Sequence, residues 1–252
     1  MKSKSSQILF ARYLNRKEVF FMTYKKFFAL LVLVLSLVFA SGAFAEVDPM
    51  DSSGFVLLSD AVPDVILEIR YYSTYNFVGD RIEGYETPVA YLTREAAAAL
   101  KEVSDELVKK GYRLKIFDAY RPQRAVLHFA RWAKDLEDKR MKKYFYPDLD
   151  KSVLFDQGYI AYKSGHSRGS TLDLTLFDMT TEKEVDMGGT FDFFGQKSHP
   201  DYKEITEEQF NNRMILREAM TAHGFKPLPE EWWHFTLENE PYPDTYFDFP
   251  VK

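Results

Sequence analysis

Two segments of the chain carry side chains that together could bind a catalytic metal ion. Residues 164–173 read SGHSRGSTLD and contain His166 and Asp173. Residues 231–234 read EWWH and add Glu231 and His234. A catalytic zinc site needs three protein ligands, an open position for water and a base nearby. Two imidazoles, one ligand carboxylate and one spare carboxylate meet that requirement.

Both segments also have a simpler interpretation. The loop around His166 could be a surface loop with a capping histidine, and residues 231–235 could be a buried aromatic strand. Glu231 and His234 are three positions apart, so an ideal strand would point them to opposite faces. Their convergence on one ion therefore requires that one of them lies in the turn after Pro229, or that the strand bulges.

Arg121 is a further candidate for the same chemistry. It lies in the sequence DAYRP, residues 118–122, just after a predicted strand. A guanidinium at that place could stabilise a developing oxyanion or bind a carboxylate with two hydrogen bonds. A structural salt bridge with Asp118 or another acid explains the spacing equally well. The remaining histidines, His128, His199 and His223, are interpreted as structural.

The segments that must position these residues indicate an α+β fold. Apolar spacing and capping residues predict helices over 94–110, 123–142 and 206–223, and short strands over 112–117, 171–176 and 232–237. Residues 171–176 alternate, with three leucines on one face and Asp173 on the polar face, which predicts a half-buried strand. Since no regular βαβ repeat occurs, we expect a small, mainly antiparallel sheet flanked by helices in a single domain.

Composition restricts the possible functions. The chain has no cysteine, which excludes disulfides, thiol nucleophiles and cysteine-based zinc sites. Its net charge of −5 becomes more negative when the lysine- and arginine-rich residues 1–45 are left out, so we expect no nucleic-acid partner. Residues 46–252 are enough for one domain with a substantial core.

The N-terminus has the pattern of an export signal. Lys25 and Lys26 precede an apolar run over residues 27–40, and the sequence AFA ends at Ala45. This pattern predicts a signal peptide over residues 1–45, possibly translated from Met22, and an exported, periplasmic or extracellular protein. An uncleaved N-terminal anchor is the alternative. After cleavage, we expect no membrane span, because the apolar run is short and is removed.

Four motifs together resemble the VanX-type zinc D-alanyl-D-alanine dipeptidases. They are YRPQRAV at 120–126, SGHSRGS at 164–170 followed by Asp173, MGGTFD at 187–192 and EWWHF at 231–235. They occur in the family's order and extend the resemblance from about Gly54 to the C-terminus. Well-known members of that family act in the cytoplasm, whereas this chain has the pattern of an export signal.

The resemblance implies a role for each candidate residue. One zinc ion would be bound by His166, Asp173 and His234, Glu231 would be the general base, and Arg121 would stabilise the tetrahedral intermediate. Ser164 and Asp192 would bind the free amino end of the substrate.

The implied activity is hydrolysis of D-Ala-D-Ala or a close dipeptide in cell-wall peptide metabolism. One alternative is a carboxypeptidase or endopeptidase that acts on longer peptidoglycan stem peptides and needs an open amino-side subsite. A second alternative is a non-catalytic, zinc-stabilised module that binds cell-wall peptides. Glu231 argues against the second alternative, because a binding module needs no base.

Overall fold

The computed structural model describes Met22 and residues 47–252. Residues 47–252 form one compact unit. The predicted export signal lies outside the described residues, so it stays a prediction. No helix within the described part of the chain is long and apolar enough to cross a membrane.

The described unit contains short strands and helices of very different length. The strands are β1 (Phe55–Leu57), β2 (Ile66–Leu67), β3 (Tyr91–Thr93), β4 (Tyr112–Asp118), β5 (Thr171–Asp178), β6 (Lys183–Glu184), β7 (Phe225–Leu228) and β8 (Glu231–Leu237). The α-helices are α1 (Leu58–Ala61), α2 (Arg94–Lys109), α3 (Gln123–Lys134), α4 (Lys142–Phe145) and α5 (Glu207–Ala222).

A six-stranded sheet forms the centre of the unit. Its strand order is β2-β4-β5-β8-β7, and the short β6 pairs with one end of β5. Only the pairing of β2 with β4 is parallel within this sheet, and the other pairings are antiparallel. Strands β1 and β3 make a separate antiparallel pair. The predicted α+β class with a mainly antiparallel sheet is confirmed.

Two of the three long helices begin and end close to where the sequence predicts. The Thr93 side chain caps α2, and Leu100, Val103 and Leu107 of its apolar stripe are fully buried. Helix α5 begins with a complete capping box of Thr206 and Gln209, which satisfies two otherwise free backbone N–H groups. Helix α2 packs against both β4 and α5.

Helix α3 is eight residues shorter than predicted, because it ends at Lys134 and not near position 142. The Asp135 side chain accepts a hydrogen bond from the Glu137 N–H, a local turn that competes with helical bonding. Lys151, which is buried, donates to the Asp135 and Asp138 carbonyls at 2.5 and 3.0 Å. This lysine is distant in sequence, so the apolar periodicity of residues 123–142 could not reveal the end of the helix.

Strand β5 differs from the prediction of a half-buried strand. Leu172, Leu174 and Leu176 are buried as expected, but Thr171, Asp173 and Thr175 on the opposite face are at most 2% exposed. The strand lies between β4 and β8, and its polar face is covered. An acidic side chain at the centre of a buried sheet needs strong partners, because a buried charge is costly when unpaired.

Candidate active site

Strand register places three of the site's polar residues side by side. Asp173 on β5 pairs directly with His234 on β8, and Asp118 at the end of β4 pairs with Asp173 from the other side. Directly opposed residues of an antiparallel pair project to the same face of the sheet. The sheet therefore forms a row of Asp118, Asp173 and His234.

His166 reaches this row from a 3-10 turn over Gly165–Arg168. The turn ends at Gly169, whose φ of +84° suits glycine and whose missing Cβ avoids a collision with the Phe55 ring. Nδ1 of His166 lies 2.8 Å from the Ala119 carbonyl oxygen. Nδ1 therefore carries the proton and donates a hydrogen bond to that oxygen. Nε2 is then left with a lone pair that points at the row.

The three predicted ligands converge on one point. His166 Nε2 lies 3.2 Å from Asp173 Oδ2 and 3.3 Å from His234 Nδ1, and His234 Nδ1 lies 3.1 Å from Asp173 Oδ1. Tetrahedral zinc with ligand bonds of roughly 2.0–2.2 Å holds its ligand atoms about 3.3 Å apart. Among the described residues, this is the only such group of His, Asp and Glu ligand atoms.

The bonding of Asp173 also fits a metal ligand. Although Oδ1 is buried and close to His234, it accepts no hydrogen bond of acceptable geometry within the described residues. The carboxylate and the two imidazoles thus converge on a common point. Buried oxygens without partners are rare, and a metal ion would satisfy this one.

The charges of the site are strongly coupled. Burial alone would raise the pKa of Asp173, but the two imidazoles lower it below its usual range. Burial would lower the pKa of His234, but the nearby Asp173 and Glu231 carboxylates raise it to about 9. The metal-free site therefore favours an ionised carboxylate beside a protonated imidazole.

Glu231 lies beside the ligand group but outside it. Its Oε2 is 3.3 Å from His234 Nδ1, and its side chain is 31% exposed. The predicted irregularity of β8 is confirmed, since the pairing with β7 jumps from Pro227–Phe235 to Leu228–Glu231. This bulge brings Glu231 and His234 to the same side of the sheet, and the partial exposure of Glu231 lets water reach its carboxylate.

Arg121 forms the salt bridge considered for it and also faces the cavity. Its Nε donates to Asp118 Oδ2 at 2.9 Å, which is the salt bridge that the spacing suggested. The same guanidinium lies 3.5 Å from Asp173 Oδ2 and stacks over the Tyr71 ring at 4.9 Å. It also lines the cavity over the ligand group. Asp118 therefore orients a cation that remains able to face a bound molecule.

Asp192 is buried in the wall of this cavity. Its hydrogen-bond partner is a residue that the sequence did not indicate. The Tyr71 hydroxyl donates to the two Asp192 carboxylate oxygens at 2.9 and 3.2 Å. Burial, followed by repulsion from Asp173, raises the pKa of Asp192 well above its usual range. Tyr71 lies 121 residues away in sequence, in a segment without a motif, so no local signal identifies it.

Ser164 is the N-cap residue of the 3-10 turn that carries His166. Its Oγ accepts hydrogen bonds from the His166 N–H at 3.3 Å and from Arg121 Nη1 at 3.5 Å. Ser164 and Asp192 both line the cavity, as expected if both contact a ligand. The role of Ser164 at the amino end of a substrate stays a prediction.

Two cavities meet at this site. The one over the ligand group measures about 170 Å³ and includes Arg121, Ser164 and Asp192 in its wall. A second cavity of about 990 Å³ shares Glu231 and Tyr159 with it. The smaller cavity is below the roughly 300–1,000 Å³ of typical drug-sized ligand sites, so it suits a very small molecule.

The three histidines interpreted as structural lie outside the ligand group. His128 Nδ1 accepts the Glu83 N–H, and His223 contacts Glu102 and Glu106 of α2. His199 lines the larger cavity, and its carbonyl accepts a hydrogen bond from α5.

Comparison with known proteins identifies the family of this chain. The M15 peptidase family, described as D-ala-D-ala dipeptidase, matches residues 51–252. A D-alanyl-D-alanine dipeptidase of Enterococcus faecalis is 41% identical over 200 residues, which cover 79% of this chain and 99% of the relative. A D-alanyl-D-alanine dipeptidase of Streptomyces coelicolor is 41% identical over 197 residues, covering 78% of this chain and 98% of the relative.

A solved structure gives a more distant match. It is the vancomycin resistance D,D-pentapeptidase VanY from a VanB-type resistance cassette in complex with Zn(II), with a TM-score of 0.37 and 14% identity over 63% of this chain and 78% of that one. The assignment depends on the family match and the full-length relatives. The chain is a peptidase and belongs to the D-Ala-D-Ala dipeptidase family of the M15 peptidases.

Proposed function

We propose that the protein hydrolyses D-Ala-D-Ala, or a close dipeptide, with one bound zinc ion. The observation that carries this proposal is the convergence of His166, Asp173 and His234 with Glu231 beside them. The names of the full-length relatives support the same substrate. We place this activity in the metabolism of cell-wall peptides.

The three side chains supply the protein ligands that a catalytic zinc ion requires. His166 Nε2, His234 Nδ1 and one oxygen of Asp173 would hold the ion, and two imidazoles with one carboxylate are a common catalytic zinc set. When bound, zinc polarises a carbonyl and makes water a stronger nucleophile at neutral pH. Asp118 and the Ala119 carbonyl keep His166 in the tautomer that ligation requires.

Glu231 and Arg121 carry out the proton transfer and the charge stabilisation. Glu231 accepts a proton from the attacking water and returns it to the leaving amine nitrogen. Arg121, held by Asp118, presents its guanidinium to the oxygen that becomes negative in the transition state. Because this cation is already oriented, it need not reorganise as that charge develops.

Asp192 and Tyr71 distinguish a free dipeptide from a longer chain. A buried carboxylate with a raised pKa is stabilised when a substrate ammonium pairs with it, whereas an acylated nitrogen offers it no opposite charge. The cavity of about 170 Å³ reinforces this selection by size.

The larger adjoining cavity favours a second candidate function. A peptide longer than two residues could extend past Glu231 into the space of about 990 Å³. The protein would then be a D,D-carboxypeptidase or endopeptidase on peptidoglycan stem peptides. The buried Asp192 argues for the dipeptide, because an extended substrate offers no ammonium at that position.

A substrate panel with and without a chelator separates these candidates. We expect the purified protein to turn over D-Ala-D-Ala much faster than its N-acetyl form or a stem pentapeptide. Chelation should abolish this activity and added zinc should restore it. Equal or faster hydrolysis of the pentapeptide would establish the second candidate function.

Replacing Asp192 with alanine tests the recognition of the ammonium. We expect kcat/KM for D-Ala-D-Ala to fall roughly 10- to 100-fold, the effect of losing a charged hydrogen bond. The zinc content should not change. The difference in kcat/KM between the free and the N-acetylated dipeptide should become smaller. Asp201→Ala, at an exposed site, is the control. An unchanged preference in Asp192→Ala would show that another group recognises the ammonium.

We also propose that the protein is exported and processed after Ala45. The lysine pair, apolar run and AFA pattern of residues 25–45 support this proposal. We expect mass spectrometry of the envelope fraction to give a mature N-terminus at Glu46. Protein that retains residues 27–45 in that fraction would support the uncleaved anchor instead.

A further inference from the structure

We propose that Arg213 of α5 is a positioning residue that holds the loop carrying Asp192 in its binding conformation and thereby sets the preference for a free amino end. We call residues 187–199 the Asp192 loop. This inference depends on the proposed role of Asp192, but the conformation of the loop can be tested separately.

Arg213 connects both ends of the Asp192 loop. Its Nε donates to the Met187 carbonyl at 2.7 Å, Nη2 to the Lys197 carbonyl at 3.0 Å, and Nη1 to the His199 carbonyl at 2.8 Å. The residue is 1% exposed. Asp192 lies between these attachment points, so one planar guanidinium fixes the distance between the two ends of the loop.

The chemistry of Arg213 indicates a positioning role. Its guanidinium makes no ion pair with a carboxylate within the described residues, and burial lowers its pKa to about 10. A buried charge without an opposite charge costs free energy that an apolar side chain would not. Here the three carbonyl groups compensate that cost, and only a planar fork can reach all three.

The Asp192 loop needs such support because its backbone is strained. Asp192 has a φ of +60°, which non-glycine residues seldom adopt and which persists only where the surroundings enforce it. Helix α5 adds two further contacts where the loop begins, because Gln209 and Asn212 donate to Asp186 at 2.8 and 2.9 Å. Three side chains of one helix therefore hold the loop that carries the buried carboxylate.

The same guanidinium also contacts the strand that carries the proposed base. It lies 5.8 Å from the centre of the Trp232 ring, and Trp232 is adjacent to Glu231 on β8. The remaining part of the loop is anchored by Phe191, which stacks on Phe117 at 4.9 Å. Loss of the Arg213 contacts should therefore loosen the loop without unfolding the sheet.

Arg213→Lys is the decisive variant, with Arg217→Lys as its control on an exposed turn of the same helix. Lysine keeps the charge but cannot bond three separated carbonyls. We expect KM for D-Ala-D-Ala to rise about tenfold or more, as for a lost charged hydrogen bond, with a much smaller change in kcat. The ratio of KM for the free dipeptide to Ki for its N-acetyl form should rise by a similar factor. Zinc content should stay constant.

Hydrogen exchange gives a measurement that does not depend on activity. We expect the amides of residues 187–199 to exchange faster in Arg213→Lys, while those of β4 and β5 keep their protection. If Arg213→Lys does not fold, Asn212→Ala can replace it, because it removes one contact to Asp186. It should raise both KM for D-Ala-D-Ala and the exchange rate of residues 187–199, but by less.

The outcomes separate this inference from the proposed function. Unchanged exchange in the Asp192 loop would overturn the positioning role. Faster exchange with an unchanged preference would overturn the effect on specificity, provided that Asp192→Ala does alter the preference. If Asp192→Ala leaves the preference unaltered, the proposed recognition of the ammonium is wrong, and the exchange data alone decide whether Arg213 positions the loop.

Discussion

Glu231→Gln should keep its zinc and lose dipeptide hydrolysis by about 10²–10⁴-fold in kcat, the range typical of general-base loss. The substitution preserves the size of the side chain but removes its negative charge and its ability to accept a proton. Glu231 lies 3.3 Å from His234 Nδ1 yet outside the group of three ligands, so we expect the ion to stay bound. Metal analysis and steady-state kinetics on the same preparation test both statements.

Glu230→Gln is the matched control, because Glu230 is the exposed neighbour of the proposed base. It should hydrolyse the dipeptide at close to the wild-type rate. If Glu231→Gln instead loses zinc, Glu231 is a ligand, and the roles given to Glu231 and Asp173 must be exchanged. If it keeps both zinc and activity, another group accepts the proton.

His166→Ala and His234→Ala should each lose the metal ion and, with it, hydrolysis. Losing a residue that only orients a metal ligand typically costs about 10–100-fold in affinity or activity, and losing a ligand should cost more. His223→Ala is the control, because His223 contacts α2 and not the ligand group. Wild-type zinc content and activity in either ligand variant would show that the assignment is wrong.

Zinc binding should also release a proton at neutral pH. The pKa of His234 is raised to about 9 in the metal-free protein, so its imidazole is protonated at pH 7. Ligation requires the neutral ring, and apparent zinc affinity should therefore increase with pH until His234 is deprotonated. Calorimetry of zinc binding in buffers of different ionisation enthalpy measures this proton. The His223→Ala control should release it as well.

Much of the site could be predicted because its chemistry is encoded in short segments. His166 and Asp173 lie in one loop-and-strand segment, and Glu231 and His234 are three residues apart. The need for a bulge between the last two follows from strand geometry, and the structure contains it. Helices α2 and α5 were predictable for a similar reason, since caps and apolar stripes are local signals.

How these segments meet depends on long-range packing, which the sequence patterns do not reveal. The register of the sheet places Asp173 opposite His234. The hydrogen bond between Tyr71 and Asp192 joins residues that are 121 positions apart in the sequence. The sequence could not indicate a functional role for Arg213, because its hydrogen-bond partners are backbone carbonyl groups, which every residue possesses. Short sequence motifs were sufficient to identify the groups that can bind a metal and transfer a proton. Strand register and long-range packing determine the relative positions of these groups, because local spacing carries no information about which distant strands pair.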